Sequence, residues 1–326
     1  MCGFSLRLAD FDCIGTNLHR PECVLTTSSG DLFVSDERGG VTRIFPDGST
    51  KLYSGRTADA RTLAANGFAM LADGSFLIAP LAGGGVFRLD RNGQAEMFLQ
   101  EADGLTLHCP NFVLLDDQQR VWICCLTRHD RRTLREYHRD RRDGYIILVD
   151  RGRARIVADN IGFPNEVRID PTDQYLYTNE TLAARLIRYR IRPDGTLGMP
   201  ETIAEFDESN MFDGFALDSA GGAWITALIS NRLWYVMPNG EAHLLIEDSH
   251  PEQLRRLTEL QKSTGVPKSI IYEEHGSTLR NISSVAFGGP DLRTAYLGNL
   301  MGDRLLSFRA PVAGIKPAHW DFGPFD

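Results

Sequence analysis

The chain has 326 residues, 42% of them hydrophobic and 24% charged, with a formal net charge of −8. Those values describe a globular chain with ample length for a core, and the acidic balance excludes nucleic acid as the main partner, because phosphate binding needs a basic surface. The N-terminus MCGFSLRLADF has no apolar signal region and no apolar run reaches membrane-span length, so a cytoplasmic protein with no membrane partner is expected. None of the six cysteines forms a C-x-x-C pair, which points to buried thiols in a reducing compartment.

One pattern recurs six times along the chain, and internal repeats of this size decide a fold before anything else does. Each unit has a polar turn, one oxygen-bearing residue, an apolar run, a Gly/Asp/Ser turn and a second apolar run, often followed by a third. The first unit is PECVL…SSG…DLFVSD and the second ANGFA…ADG…SFLIAP. The third is PNFVLLDDQQRVWICC and the fourth PNEVRIDPTDQYLYTNE. The fifth is FDGFALDSAGGAWITAL, and the sixth SSVAFGGPDLRTAYLGN. Short runs rich in Val, Ile, Phe, Tyr and Trp between turn residues are strands. The prediction is an all-β protein, a six-bladed β-propeller occupying 1–326 as a single domain. The leading stretch 4–14 is expected to supply the outer strand of the last blade and so close the ring.

Two insertions break the rhythm. The first, 126–142 (LTRHDRRTLREYHRDRR), carries seven arginines and two histidines, His129 and His138. With Asp130, Glu136 and Asp140 among its arginines, it reads as a solvated surface segment in preference to a substrate contact. The second, 247–280, contains a helical stretch over 251–262 with Pro251 at the first turn and Leu254, Leu257 and Leu260 at helical spacing. Both follow a propeller strand and are expected over one face as lid-like elements.

The oxygen-bearing residues of the six units are Glu22, Asn66, Asn111, Asn165, Asp213 and Ser283. In a propeller the innermost strands line the central channel, so residues at their starts face one axial space. Asn and Asp also form turns in their own right, but six repeats placing an oxygen donor at one register favour a site. Hard divalent cations take such donors, and Glu22, Asn111, Asn165 and Asp213 together carry two negative charges for one M²⁺. Asp213 is the candidate general base.

On those motifs the chain resembles the senescence-marker-protein/gluconolactonase family of six-bladed propellers, from about residue 21 to 311. The resemblance implies a small-molecule substrate and a metal-dependent lactonase in which Glu22, Asn165 and Asp213 hold the cation. It gives Asn111 a ligand or substrate role and makes Asp213 the base as well. The implied cation is calcium first, with zinc, manganese or magnesium as alternatives. Two departures stand out: Phe112 follows Asn111 where family members often have Asp, and Cys109 stands where sugar-lactone members carry Arg. A less polar or differently charged lactone is therefore expected. Asn66, Asn111, His108, Glu180 and Ser283 are the candidate substrate contacts, and His275 and Arg280 candidate rim residues. The same metal site would also serve a dehydratase or isomerase, or a non-enzymatic calcium-binding propeller. No G-x-S-x-G elbow, P-loop, H-E-x-x-H or dinucleotide fingerprint is present.

Overall fold

The computed structural model describes residues 3–263 and 265–323. Six four-stranded antiparallel sheets carry the six repeats, in the order of the chain. The innermost strands are Val24–Thr26, Ala65–Met70, Pro110–Leu115, Pro164–Ile169, Phe212–Leu217 and Ile282–Gly288, and neighbouring ones pack on each other around the ring. This is a six-bladed β-propeller. Four blades use four consecutive strands, and the third takes its four from either side of the short strand Glu136–Tyr137. The sixth takes its outer strand from the N-terminus, where Asp12–Ile14 pairs with Leu305–Arg309 in the register Asp12↔Ser307 and Ile14↔Leu305. Joining the two chain ends in one sheet leaves the ring no seam to unzip. The junction between the first and last blades is tied further by Thr26 Oγ1, which donates to the Phe287 carbonyl at 2.6 Å.

The inner strands read as continuous apolar runs because neighbouring blades cover both of their faces. Where they approach most closely the side chain must vanish: a Cβ on Gly214 would lie 2.6 Å from the Ser283 carbonyl oxygen. The hairpin leaving an inner strand is fixed by a buried Asp in two blades. Asp218 accepts from the Ala220 and Gly222 amides, both at 2.9 Å, and from Trp224 Nε1 at 3.1 Å. Asp116 repeats the device with Trp122 Nε1 at 2.9 Å.

Both insertions lie at the same end of the channel, and they are bound to each other. Glu136–Tyr137 pairs with Val266–Pro267 as a two-stranded sheet, and the Lys268 amide donates to the Arg135 carbonyl at 2.8 Å. A helix, α1 (Pro251–Ser263), follows the expected stretch. Its Leu257 is buried in a cluster with Leu134, Tyr137, Val266 and Ile270. No helix of the described residues is long and apolar enough to cross a membrane.

Two expectations are corrected here. Cys13 is exposed, whereas Cys23, Cys109, Cys124 and Cys125 are buried free thiols; Cys2 lies outside the described residues. The first insertion is not merely a solvated charge run either, because Leu134 and Tyr137 anchor it and Arg131 turns inward.

Candidate active site

The six oxygen-bearing residues come together where the inner strands begin, and all six side chains are buried. They sit in bulges and not in plain turns. In blades two to six the key residue is the second of its strand, and the pairing with the next strand slips there, between Ala65 and Phe68, Pro110 and Phe112, Pro164 and Val167, Phe212 and Phe215, and Ile282 and Ser284. A bulge interrupts the strict alternation of a strand and re-aims one side chain; here it turns that side chain toward its counterpart in the neighbouring blade. Glu22 differs, standing two residues ahead of its strand, with its amide held by Ser35 Oγ at 3.1 Å.

The result is a directional chain of hydrogen bonds from blade to blade. Asn66 Nδ2 donates to Asn111 Oδ1 at 3.0 Å, and Asn111 Nδ2 to Asn165 Oδ1 at 3.2 Å. Asn165 Nδ2 donates to Asp213 Oδ1 at 2.7 Å and to Thr181 Oγ1 at 3.3 Å. On the far side Ser283 Oγ donates to the Glu22 carbonyl at 3.1 Å. Each carboxamide is thus held with its nitrogen facing the next blade.

Two arginines join this ring. Arg20, in the left-handed region at φ 54°, pairs with the Glu22 carboxylate and donates from Nη1 to Asn66 Oδ1 at 3.3 Å. Its Nε is buried and meets no acceptor among the described residues. Arg131, from the first insertion, donates from Nη1 to Asn111 Oδ1 at 3.0 Å and from Nη2 to Asn66 Oδ1 at 3.2 Å. Lys268 of the second insertion donates to the Arg131 carbonyl at 2.9 Å.

The electrostatics follow from this packing. Burial, then the Glu22 and Glu166 charges, push the Asp213 carboxyl well above the usual carboxylate range, against the opposing Arg20 and the Asn165 hydrogen bond. Burial pulls the Arg20 guanidinium down, and the charges of Glu22, Tyr272 and Asp213 outweigh it and hold the guanidinium up. Lys268 is lowered, by burial first and by Arg131 second. Beneath the ring Glu166 is spoken for: it pairs with Arg168 at 2.6 Å and accepts the Phe215 amide at 3.1 Å. Arg168 lies 4.5 Å from the Phe112 ring centroid, so Phe112 serves the packing between blades at this register.

The other expected site residues stand apart from the ring. Glu180 is fixed by the Gly162 amide at 2.6 Å, by Arg142 at 2.8 Å and by Arg185. His108 is half-buried and its side chain makes no hydrogen bond among the described residues. His275 is buried between Gln253 Oε1 at 3.0 Å and the Ile270 carbonyl at 2.8 Å, and Arg280 pairs with Glu274. His129 and His138 lie near Asp143 and Glu136 at the surface, at 3.5 and 3.6 Å. A cavity of about 220 Å³ lies at the opposite end of the channel, lined by later residues of the inner strands such as Leu114 and Phe287 and by 315–319. It has no contact with the ring of carboxamides, which is where the chemistry-bearing groups converge.

Among the described residues no three His, Cys, Asp or Glu side chains cluster as metal ligands. The carboxamides must therefore supply part of any coordination. Asp213 Oδ2 and Glu22 Oε1 accept no hydrogen bond among the described residues, which leaves two carboxylate oxygens open at the ring. A divalent cation placed there would draw on these two oxygens and on a carboxamide oxygen beside them, and Asn165 Oδ1 accepts one hydrogen bond, from Asn111. Asn111 fits less well, because its Oδ1 already accepts from Asn66 and Arg131.

A family model described as the SMP-30/gluconolactonase/LRE-like region matches residues 21–247. The chain belongs to that family. It is 27% identical to a 6-deoxy-6-sulfogluconolactonase of Pseudomonas putida over 234 residues, which is 71% of this chain and 67% of that protein. The fold of this SMP-30/gluconolactonase family member is shared with a gluconolactonase from Xanthomonas campestris (TM-score 0.66, 17% identity, 94% of this chain and 91% of that one). It is shared too with the calcium-binding protein regucalcin from Agrobacterium tumefaciens (TM-score 0.64, 16% identity, 99% and 97%).

Arg20 and Arg131 were missed from sequence. Arg20 carried a faint signal, two residues ahead of Glu22 and directly before a proline. Arg131 carried none, since nothing in LTRHDRRTLREYHRDRR singles it out from its six neighbouring arginines.

Proposed function

We propose that this protein is a metal-dependent lactonase, hydrolysing the internal ester of a sugar lactone or a related ring. The observation that carries the reading is the pair of open carboxylate oxygens, on Glu22 and Asp213, facing a ring of carboxamides in a family whose relatives are named for lactone hydrolysis.

Glu22, Asn165 and Asp213 would hold the cation, with Asn111 beside them, and calcium suits this all-oxygen set best. A divalent cation held there supplies Lewis-acid polarisation of the lactone carbonyl and stabilises the charge that develops on its oxygen. The remaining work belongs to the side chains. Asp213 takes a proton from the attacking water, whose oxygen bonds to the carbonyl carbon. The bond from that carbon to the ring oxygen then breaks, and the proton passes to the ring oxygen, which leaves as the hydroxyl of the open acid. Asn165 holds Asp213 Oδ1 and so fixes the orientation of the carboxylate. Asn66 and Asn111 line the substrate side, and Ser283 closes the ring beside Glu22.

The test is elemental analysis of the purified protein paired with a pH-indicator assay over a lactone panel, before and after chelation. Acid release that stops with chelator and returns with one added metal is the expected result. Metal bound at full occupancy with no acid released from any lactone would refute the reading, and would favour a different metal-assisted reaction or a binding role.

A further inference from the structure

The first insertion sends one of its arginines into the site, and the charges there do not balance. Glu166 is neutralised by Arg168, which leaves Glu22 and Asp213 as the anions of the ring. Arg20 and Arg131 reach the ring, and Lys268 stands behind Arg131. Arg131 and Lys268 have no carboxylate within ion-pair distance among the described residues; Arg128, Arg132 and Arg142 of the same insertion are paired with Asp159, Asp130 and Glu180, and of the four arginines without such a pair Arg131 is the one that reaches the ring. A divalent cation at the ring would cancel Glu22 and Asp213 and leave all three side-chain cations uncompensated. Arg20 is buried and Arg131 and Lys268 are half-buried at the mouth, and cations left unpaired there favour an anionic ligand.

The donors are already aimed. Arg20 is buried, with an Nε that meets no acceptor. Arg131 is held by its backbone as well as its tip, since its carbonyl accepts from Lys268 and its guanidinium from two sides grips Asn66 and Asn111. Guanidinium groups fixed in this way suit the planar or tetrahedral oxygens of an acidic group.

We infer that the substrate is a lactone bearing a second, anionic substituent, and that Arg131, with Lys268 behind it and Arg20 beside it, is the residue that selects for that charge. The inference rests on the lactonase reading and adds to it the class of ring that is turned over. The position two residues ahead of Asn111 holds Cys109, and the guanidinium that reaches Asn111 comes from the insertion.

The experiment compares kcat/KM for a neutral aldonolactone with that for the same ring carrying a 6-carboxylate, a 6-sulfonate or a 6-phosphate, using metal-loaded full-length protein. The expected result is a preference for the charged rings of about 100-fold, falling by about 10–100-fold in Arg131→Ala and partly restored in Arg131→Lys, the range that one or two charge-assisted hydrogen bonds supply. The three acidic groups separate the sources of the oxyanion. A drop in selectivity is not what simple loosening of the fold produces, because loosening lowers both rates together. Should Arg131→Ala fail to fold, Arg131→Gln carries the same comparison. Hydrolysis of neutral and charged rings at equal kcat/KM, or a preference that Arg131→Ala leaves untouched, overturns the inference while the lactonase reading stands. Hydrolysis of neither ring overturns both.

Discussion

Replacing Asp213 with Asn should push stability and activity in opposite directions. The substitution keeps the oxygen that accepts Asn165 Nδ2 at 2.7 Å and removes only the charge. In the metal-free protein that charge is a liability, since Asp213 is buried and faces Glu22 and Glu166 with Arg20 as its one opposing cation. Removing one of two facing buried carboxylates, with Arg20 left to neutralise Glu22, should stabilise the fold by about 1–2 kcal/mol. For 326 residues, an unfolding entropy of about 2.1 cal/mol/K per residue gives roughly 0.7 kcal/mol/K, so the metal-free variant should melt about 2 °C above wild type. Metal reverses the order. At a hundred times its Kd a cation adds about 2.7 kcal/mol to the wild type, roughly 4 °C. The variant should lose most of that shift and at least about 10³-fold in turnover. Thermal melts with chelator and with saturating calcium, alongside the lactone assay, read all three quantities. A metal-free variant melting several degrees below wild type would refute the electrostatic account, and an undiminished calcium shift or turnover within tenfold would refute the assignment of Asp213.

Two further substitutions test the frame that positions this site. His319 is buried, and burial first, then Arg168, lowers its pKa to about 4. A depressed pKa stabilises the fold above the unfolded value and is lost as pH falls toward the folded one. Wild type should thus lose about 2 kcal/mol more than His319→Gln between pH 6.5 and 5, a window of about 1.5 pH units; equal losses by urea titration would rule this out. Asp218→Ala leaves the Ala220 and Gly222 amides and Trp224 Nε1 without their acceptor. Three lost bonds to a buried charge should cost about 3–5 kcal/mol, and a fall in urea-derived stability below about 1 kcal/mol would show that the hairpin does not depend on this residue.

The propeller was legible because its information is local and repeated. Each blade needs its own turn residues, its own apolar run and its own oxygen at the inner strand, and six copies of a weak signal reinforce one another. The ring was legible for the same reason. What was read as a turn is in blades two to six a bulge within the strand. Sequence does not separate the two, because Asn, Asp and Gly serve both. Glu180 looked functional because it ends the second strand of Asn165's own blade. Its carboxylate is instead spent on Arg142 and Arg185, partners that only the tertiary fold brings to it.

The arginines show where local information ends. Arg131 reaches Asn66 and Asn111 because Glu136–Tyr137 pairs with Val266–Pro267 and Lys268 takes up the Arg131 carbonyl. Those contacts join segments separated by more than a hundred residues, and no window of sequence contains both. Charge runs generally sit in water, and most of this one does: Arg132 and His129 are exposed at the surface. One residue in the run departs from the rule because the second insertion holds the first against the mouth. The blades thus supply the carboxylates, the carboxamides and Arg20, and the insertions supply Arg131 and Lys268. If selectivity resides in Arg131, exchanging the paired insertions together should change which lactone is preferred, whereas changing the blades' own ring residues should change whether any lactone is opened at all.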